Sequence, residues 1–195
     1  IITGRGKRAI EDHFDNNYEL EHQLKGTSKE KLLEGIQTIV KSCNFSYTRQ
    51  REMKGLGHAV LCGKSLIGNE PFAVVLADDV CTIDPELGGV LEQMSKIYDQ
   101  TGKCIIAVME IPTENIHKYG VIEGNKISEQ LLEVTGMIEK PKAENAPSNL
   151  AVIGRYILIP EIFEILKTTP KGAGGEIQLT DAILELAKQG KVLAY

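Results

Sequence analysis

The chain has 195 residues, of which 42% are hydrophobic and 25% are charged, an ordinary composition for a globular domain with a sizeable core. Its formal net charge is −5, with 22 Lys and Arg against 27 Asp and Glu, so we expect neither nucleic acid nor an anionic membrane as a partner. No apolar run reaches the length that spans a bilayer, and no signal peptide is recognisable. We therefore predict a cytoplasmic protein.

Strand and helix patterns alternate through the first half of the chain. In order, they are a strand at 1–3, a helix at 5–15, helical spacing from Tyr18 to about Cys43, a strand at 44–50, a helix at 57–66, an apolar strand at 72–77, a helix at 86–99 with Asp84-Pro85 as its start signal, and a strand at 103–109. This alternation predicts βαβ units and a Rossmann-like, mainly parallel mixed sheet flanked by helices. The continuous apolar run at 72–77 is typical of a strand buried on both faces.

Strands predominate from about Ile111 onward. They are predicted at 119–123, 126–127, 134–139 and 151–159, with a turn at 123–126, short helices at 161–167 and 177–188, and a further strand beginning at Lys191. This pattern indicates an antiparallel insertion that forms a wall over the edge of the sheet. The fold class is therefore one α/β domain with a β-rich second half.

The four cysteines are Cys43, Cys62, Cys81 and Cys104. They form no Cys-x-x-Cys pair, and no His lies at the spacing of a zinc site. Each lies in or beside an apolar segment, and free cysteine is among the most buried residue types. We therefore predict that all four are buried and reduced.

Asp78 and Asp79 come directly after the apolar strand at 72–77. In an open α/β sheet, ligands bind in the crevice at the carboxyl ends of the strands. Two carboxylates in that crevice suit Mg²⁺ carrying substrate phosphates. The structural alternative is an ordinary acidic pair that caps the next segment.

Gln50, Gly55 and Gly57 surround the end of the preceding predicted strand. The Gln50 amide has both a donor and an acceptor, which match the edge of a pyrimidine base. The two glycines allow the backbone to approach a base or a phosphate closely. A surface glutamine and plain turn glycines are the alternative, but together with Asp78 and Asp79 these residues favour a nucleotide-handling site.

Glu139 and Lys140 end the predicted strand at 134–139. A carboxylate accepts hydrogen bonds from sugar hydroxyls, and a lysine pairs with phosphate as a point charge, although an exposed ion pair is the plainer alternative. Gly120 offers a close backbone approach or marks a bulge. The segment at 171–175 lacks the Gly-Lys-Ser/Thr ending of a P-loop, so we interpret the residues that follow it as support for the site.

Several motifs, in order along the chain, resemble those of the sugar nucleotidyltransferases, and within them the bacterial UTP–glucose-1-phosphate uridylyltransferases. The order and spacing match from Arg8 onward, across nearly the whole chain. The matching segments are Gln50 with Lys54–Val60, Leu76–Val80, Lys118–Ile122, Glu139–Lys142, Ala146–Tyr156 and Gly172–Ala182. Linked motifs in a fixed order are far more specific than any one of them alone.

The resemblance implies that glucose 1-phosphate attacks the α-phosphorus of UTP with the help of Mg²⁺, forming UDP-glucose and releasing pyrophosphate. Asp78 would bind Mg²⁺, with Asp79 beside it, and Gln50 and Gly55 would contact the uracil ring. Asp78 and Lys140 would be the catalytic residues, since the reaction needs positioning and charge stabilisation rather than a covalent intermediate.

The resemblance also implies a sugar site made of Gly120, Glu139, Lys140 and Val152. Glu139 would take the sugar hydroxyls and Lys140 the phosphate. We therefore expect a single domain over residues 1–195, with a nucleotide-binding half at 1–110, a sugar-binding half at 111–195, and assembly into a homo-oligomer.

Two parts of the family's machinery are expected to lie outside this sequence. The glycine-rich signature loop that holds the triphosphate would precede Ile1, and a second metal-binding Asp would follow Tyr195. We therefore expect a chain truncated at both ends, whose 195 residues alone are inactive or nearly so. Two other interpretations stay open: a thymidylyl- or guanylyltransferase of the same family, and a non-catalytic protein that binds nucleotide sugars.

Overall fold

The structure, a computed structural model, describes residues 1–195 apart from the side chain of Ala173. The chain divides into two compact units, Ile1–Met53 and Lys54–Tyr195. The first unit consists of strands β1 (Ile2–Thr3) and β2 (Thr48–Arg49), which pair in parallel, and helices α1 (Arg8–His13), α2 (Tyr18–Leu24) and α3 (Glu30–Ser42).

The first unit has less regular structure than its sequence predicts. The helical spacing from Tyr18 to about Cys43 belongs to two helices, which separate near Gly26, where φ is 77°. This left-handed backbone favours glycine and cannot continue a right-handed helix. The strand predicted at 44–50 is reduced to the two residues of β2, although the Gln50 N–H extends its pairing by donating to the Thr3 carbonyl at 2.9 Å.

The second unit is built on six strands and five helices, with 3-10 turns at Thr113–Lys118, Ala143–Asn145 and Ala173–Gly175. The strands are β3 (Phe72–Val75), β4 (Cys104–Glu110), β5 (Gly120–Ser128), β6 (Leu131–Glu139), β7 (Leu150–Leu158) and β8 (Val192–Ala194). The helices are α4 (Leu56–Cys62), α5 (Lys64–Ile67), α6 (Val90–Thr101), α7 (Ile162–Thr168) and α8 (Leu179–Ala187).

The six strands form one mixed sheet in the order β3-β7-β4-β8-β6-β5, which confirms the α/β class. Strands β3, β4 and β8 run in one direction, as the βαβ pattern predicts, and β4 pairs with β8 in parallel. Strand β7 differs from that pattern, because it lies between β3 and β4 and is antiparallel to both. Parallel pairing is therefore less extensive than the sequence suggests.

The predicted antiparallel insertion continues the sheet instead of standing over its edge. Strands β5 and β6 form a hairpin, β6 pairs with β8, and Val121 in β5 also pairs with Ala151 in β7. The turn predicted at 123–126 is wrong, since these residues lie inside β5. The register shift between Glu123 and Gly124 marks a bulge there, which explains why the glycine looked like a turn residue.

Alternate residues of β4 belong to two different hydrophobic clusters. Ile106 packs in the larger cluster with residues of α4, α7 and α8, whereas Ile105 packs in a smaller cluster with Met94 of α6. Successive side chains of a strand point to opposite faces of its sheet, so helices cover both faces at β4.

Strand β3 does not have the burial that its apolar run predicts. Phe72 and Val74 pack against the larger cluster, but Val75 is 52% exposed. The prediction of burial on both faces is wrong for this strand, because β3 is an edge strand of the six-stranded sheet. The apolar face of β3 that carries Val75 is not covered by the described residues of this unit.

The start predicted for the helix at 86–99 is also wrong. Helix α6 begins at Val90, because Asp84 starts a turn instead of a helix: its Oδ1 accepts hydrogen bonds from the N–H groups of Leu87 at 2.9 Å and Glu86 at 2.8 Å. These two bonds hold the pKa of Asp84 below its usual value.

The cysteines are all free, but they differ in burial. Cys104 is buried, as predicted, and burial raises the pKa of its thiol to about 11. Cys43 is exposed at the end of α3, contrary to prediction, while Cys62 and Cys81 are half-buried.

Candidate active site

The Asp78–Asp79 loop lies where β3 ends against β7. The Leu76 N–H donates to the Gly154 carbonyl at 2.8 Å, one residue beyond the last pair of the ladder, and the chain then turns away from the sheet. Oδ2 of Asp79 accepts a hydrogen bond from the Gly154 N–H at 2.7 Å, whereas Asp78 is exposed. The two neighbouring carboxylates therefore differ, since one holds the loop on β7 and the other faces solvent.

Arg155 also binds this loop, and it is a residue to which the sequence motifs gave no role. Its guanidinium donates hydrogen bonds to the carbonyls of Leu76 at 3.0 Å, Gly154 at 2.9 Å and Asp79 at 2.5 Å. Only 9% of Arg155 is exposed. The sequence signal that could have identified it is a lone charge within the otherwise apolar strand predicted at 151–159.

A second pair of charged residues, Glu139 and Lys140, ends β6. Oε2 of Glu139 accepts a hydrogen bond from the Thr180 hydroxyl at 2.5 Å, and the Glu139 side chain is 19% exposed. The Lys140 side chain is 62% exposed, and its Nζ lies 3.9 Å from Oε1 of Glu139. An ion pair this long and exposed contributes little stability, so the pair is poorly explained as a structural salt bridge.

The Lys140 backbone is unusual. Its φ is 45°, and among the described non-glycine residues Lys140 is the one with a positive φ. Its N–H donates to the Tyr119 carbonyl at 3.0 Å. A non-glycine residue in this region stores about 1–3 kcal/mol of strain, and such residues cluster at functional sites. The role of Lys140 at the sugar phosphate stays a prediction, and this backbone conformation is consistent with it.

Gly120 and Val152 lie beside this second pair. Gly120 pairs with Glu139, and a Cβ on Gly120 would stand 3.1 Å from Oε2 of Glu139, so the glycine leaves room for the bond to Thr180. Val152 packs on the larger cluster and lies on β7 beyond the last residue that pairs with β3. Because their neighbours Val121 and Ala151 are paired, Gly120 and Val152 lie close together.

Tyr156 connects the two pairs electrostatically. Burial raises the pKa of its hydroxyl well above the usual value, and the negative charges of Glu139, Asp79 and Asp78 raise it further. The contacts of β7 agree with this: the Gly154 N–H binds Asp79, and Gly120, which pairs with Glu139, lies beside Val152, also on β7. The structure thus brings the Asp78–Asp79 loop and Glu139 to the same region of the sheet.

Gly55 and Gly57 have a packing role that their sequence did not reveal. The Ile177 N–H donates to the Lys54 carbonyl at 2.7 Å, and the Gly57 N–H donates to the Ile177 carbonyl at 2.9 Å. A Cβ on Gly55, whose φ is 93°, would stand 2.7 Å from the Glu176 Cβ. The glycines allow this direct backbone contact, which agrees with the interpretation of the 176–181 segment as support.

Contact with uracil stays a prediction for Gly55 and for Gln50. Gln50 belongs to the first unit, where it directly follows β2, as the sequence predicted.

The carboxylates of the second unit suit a metal that arrives with a substrate. Among the residues that the structure describes, no three or more His, Cys, Asp or Glu side chains are placed to hold a metal ion. Mg²⁺ commonly binds through one or two carboxylates plus substrate phosphates. The exposed carboxylate of Asp78 fits such a site, while Asp79 uses one of its oxygens on Gly154.

Comparison with known proteins identifies the family. The sequence profile of the nucleotidyl transferase family matches residues 1–195. A UTP–glucose-1-phosphate uridylyltransferase from Pseudomonas aeruginosa is 58% identical over 195 residues, which are 100% of this chain and 70% of that protein.

Solved structures give the same result. The crystal structure of an apo UDP-glucose pyrophosphorylase is 53% identical, with a TM-score of 0.94 over 100% of this chain and 71% of that chain. A UDP-glucose pyrophosphorylase complexed with UDP-glucose is 51% identical, with a TM-score of 0.91 over 100% of this chain and 70% of that chain. The chain therefore belongs to the nucleotidyl transferase family, in the group of the bacterial UTP–glucose-1-phosphate uridylyltransferases.

Proposed function

We propose that the protein transfers the uridylyl group of UTP to glucose 1-phosphate, forming UDP-glucose and releasing pyrophosphate. The observation that carries this proposal is the arrangement at β7, where the Asp78–Asp79 loop is held on Gly154 and Gly120, the partner of Glu139, lies beside Val152, in a chain with uridylyltransferase relatives. UDP-glucose is the ligand named for one of the related structures.

In the proposed reaction, a phosphate oxygen of glucose 1-phosphate attacks the α-phosphorus of UTP. The bond from that phosphorus to the bridging oxygen breaks, and pyrophosphate leaves with the electron pair. Mg²⁺, when bound, neutralises phosphate charge as it develops. Asp78 would hold the metal, and the exposed Lys140 ammonium would bind the sugar phosphate, so that catalysis rests on positioning and electrostatics.

The sugar would lie against Gly120, Glu139 and Val152. Glu139 is held by Thr180 through one oxygen, which leaves its other oxygen to accept hydrogen bonds from sugar hydroxyls. The lack of a side chain at Gly120 leaves room for the bond between Glu139 and Thr180, and β7 extends beyond the end of β3 at Val152.

The test is pyrophosphate release by the complete protein with glucose 1-phosphate and each of UTP, dTTP and GTP. We expect UTP to be the best substrate and Asp78→Asn to remove turnover while the protein stays folded. Asp99→Asn, an exposed substitution on α6, is the matched control and should retain activity. Full activity of Asp78→Asn would contradict the metal role.

The alternatives predict different outcomes of the same assay. A thymidylyl- or guanylyltransferase would prefer dTTP or GTP, since the Gln50 amide suits thymine as well as uracil. A non-catalytic binding protein would bind UDP-glucose without needing Asp78 and would release no pyrophosphate.

Three further parts of the proposal have their own measurements. Removal of divalent ions by EDTA, followed by addition of Mg²⁺, tests the choice of metal. Light scattering of the complete protein tests the homo-oligomer, and cell fractionation tests the cytoplasmic location. None of the described helices is long and apolar enough to cross a membrane.

A further inference from the structure

We infer that Arg155 is a positioning residue for the metal site, because it binds the backbone on both sides of Asp78. This inference rests on the proposed function, since it takes the Asp78 carboxylate as the metal ligand. It concerns Arg155 itself, whose guanidinium donates to backbone carbonyls of this loop.

The hydrogen bonds of Arg155 lie on both sides of Asp78. One guanidinium donates to the carbonyls of Leu76, at 3.0 Å, and of Asp79, at 2.5 Å. Ala77 and Asp78 lie between these two fixed points. The Arg155 fork therefore sets the position of the Asp78 backbone relative to β7.

Gly154, on the same strand, also holds the loop. Its N–H binds the Asp79 carboxylate at 2.7 Å, and its carbonyl accepts from the Leu76 N–H at 2.8 Å. A Cβ at Gly154 would stand 2.5 Å from Oδ2 of Asp79 and 2.6 Å from the Leu76 Cβ. Leu76 and Asp79 thus pack directly against the Gly154 backbone.

The buried charge of Arg155 has no carboxylate partner. Within the described part of the chain, Arg155 has carbonyl partners only and makes no ion pair with a carboxylate. Burying a guanidinium costs free energy that carbonyls alone offset incompletely. Beside a site for phosphates, this buried positive charge adds to the local electrostatic potential that attracts anions.

The experiment measures metal binding directly in the complete protein, with Mn²⁺ as the probe and UDP-glucose present. Electron paramagnetic resonance reports the free Mn²⁺, and calorimetry in EDTA reports UDP-glucose binding without metal. Arg155→Lys keeps the charge but loses the planar fork. We expect it to weaken Mn²⁺ binding by about 10–100-fold, as loss of an outer-shell partner does, with UDP-glucose binding in EDTA unchanged.

Two other variants separate positioning from general destabilisation. Gly154→Ala should weaken Mn²⁺ binding in the same way, because its methyl group displaces the loop while Arg155 is intact. Leu158→Ala, at a fully buried position on the same strand, should lower the Tm but keep wild-type Mn²⁺ affinity. If Arg155→Lys does not fold, Arg155→Gln takes its place, since its amide can still donate to one carbonyl but cannot bridge two.

The outcomes also distinguish this inference from the proposed function. Wild-type Mn²⁺ affinity in folded Arg155→Lys, or an equal loss of UDP-glucose binding in EDTA, would overturn the positioning role. If Asp78→Asn abolishes Mn²⁺ binding in that case, the proposed function still stands. If Asp78→Asn binds Mn²⁺ as the wild type does, the metal role of Asp78 fails first.

Discussion

The charged pair Asp78–Asp79 follows β3, and the charged pair Glu139–Lys140 lies at the end of β6. The two pairs share one arrangement, but different groups hold them in place. In each pair, one carboxylate is held by the protein and its neighbour is exposed: Asp79 is held beside Asp78, and Glu139 is held beside Lys140. The anchor of Asp79 is a backbone N–H, whereas the anchor of Glu139 is the Thr180 hydroxyl. Adjacent charged residues at a strand end can therefore divide two tasks, one fixing the turn and one facing the ligand.

The comparison is tested most strongly at the Asp78–Asp79 pair. We expect Asp78→Ala to lower kcat by about 100–1,000-fold, the usual cost of losing an electrostatic catalytic contact, with almost no change in Tm. Asp79→Ala should instead lower the free energy of unfolding by about 1–3 kcal/mol, because the Gly154 N–H loses its acceptor. Steady-state kinetics and urea unfolding measure the two effects. Equal loss of stability in both variants would show that the division of tasks does not exist.

The exposed member of the other pair is tested by Lys140→Met. Loss of a charged contact with phosphate costs about 1.5–3 kcal/mol, so we expect KM for glucose 1-phosphate to rise by about 10–100-fold. Stability should hardly change, since the ammonium is exposed. Lys126→Met, at another exposed lysine, is the control. An unchanged KM would remove Lys140 from the sugar-phosphate site.

The anchored member of that pair is tested through Thr180. In Thr180→Val the side chain keeps its shape but loses the hydroxyl that binds Glu139, and we expect a loss of about 1–2 kcal/mol in unfolding free energy. KM for glucose 1-phosphate should rise less than in Lys140→Met, because Glu139 becomes mobile but keeps its charge. Thr180→Ser should restore both values. If it restores stability alone, the hydroxyl has no part in binding.

The smallest expected effect concerns the Lys140 backbone. Glycine adopts a positive φ without strain, so Lys140→Gly should be more stable than Lys140→Ala by about 1 kcal/mol in urea unfolding. Both variants lack the ammonium and should have the same low activity. A less stable glycine variant would mean that the turn stores no strain at this position.

Local sequence was enough to place the charged residues but not to distinguish their tasks. The apolar run at 72–77 indicated that Asp78 and Asp79 follow a strand, and the structure agrees. Which of the two is anchored depends on Gly154, 75 positions further along the chain. That contact exists because β7 lies between β3 and β4, and side-chain periodicity carries no information about which strands pair.

The same lack of information about strand pairing explains why the burial of β3 was predicted wrongly and why no role was predicted for Arg155. Val75 looks like a core residue, but its exposure depends on the edge position of the strand. Arg155 looks out of place in an apolar strand, but its partners are carbonyls of a distant loop. The type of a residue does not indicate which distant backbone groups it contacts.

Cys104 and Cys43 differ in exposure, so the rates at which they react with a thiol reagent can report how fast part of the fold opens. Cys104 lies at the start of β4 with no exposed surface, and its pKa of about 11 keeps it a neutral thiol near pH 8, so it reacts with a thiol reagent only when the second unit opens. Cys43 in the first unit is exposed and reacts at once. With Cys62 and Cys81 changed to serine, the slow labelling phase would time the opening of the β4 region, and bound UDP-glucose should lengthen it.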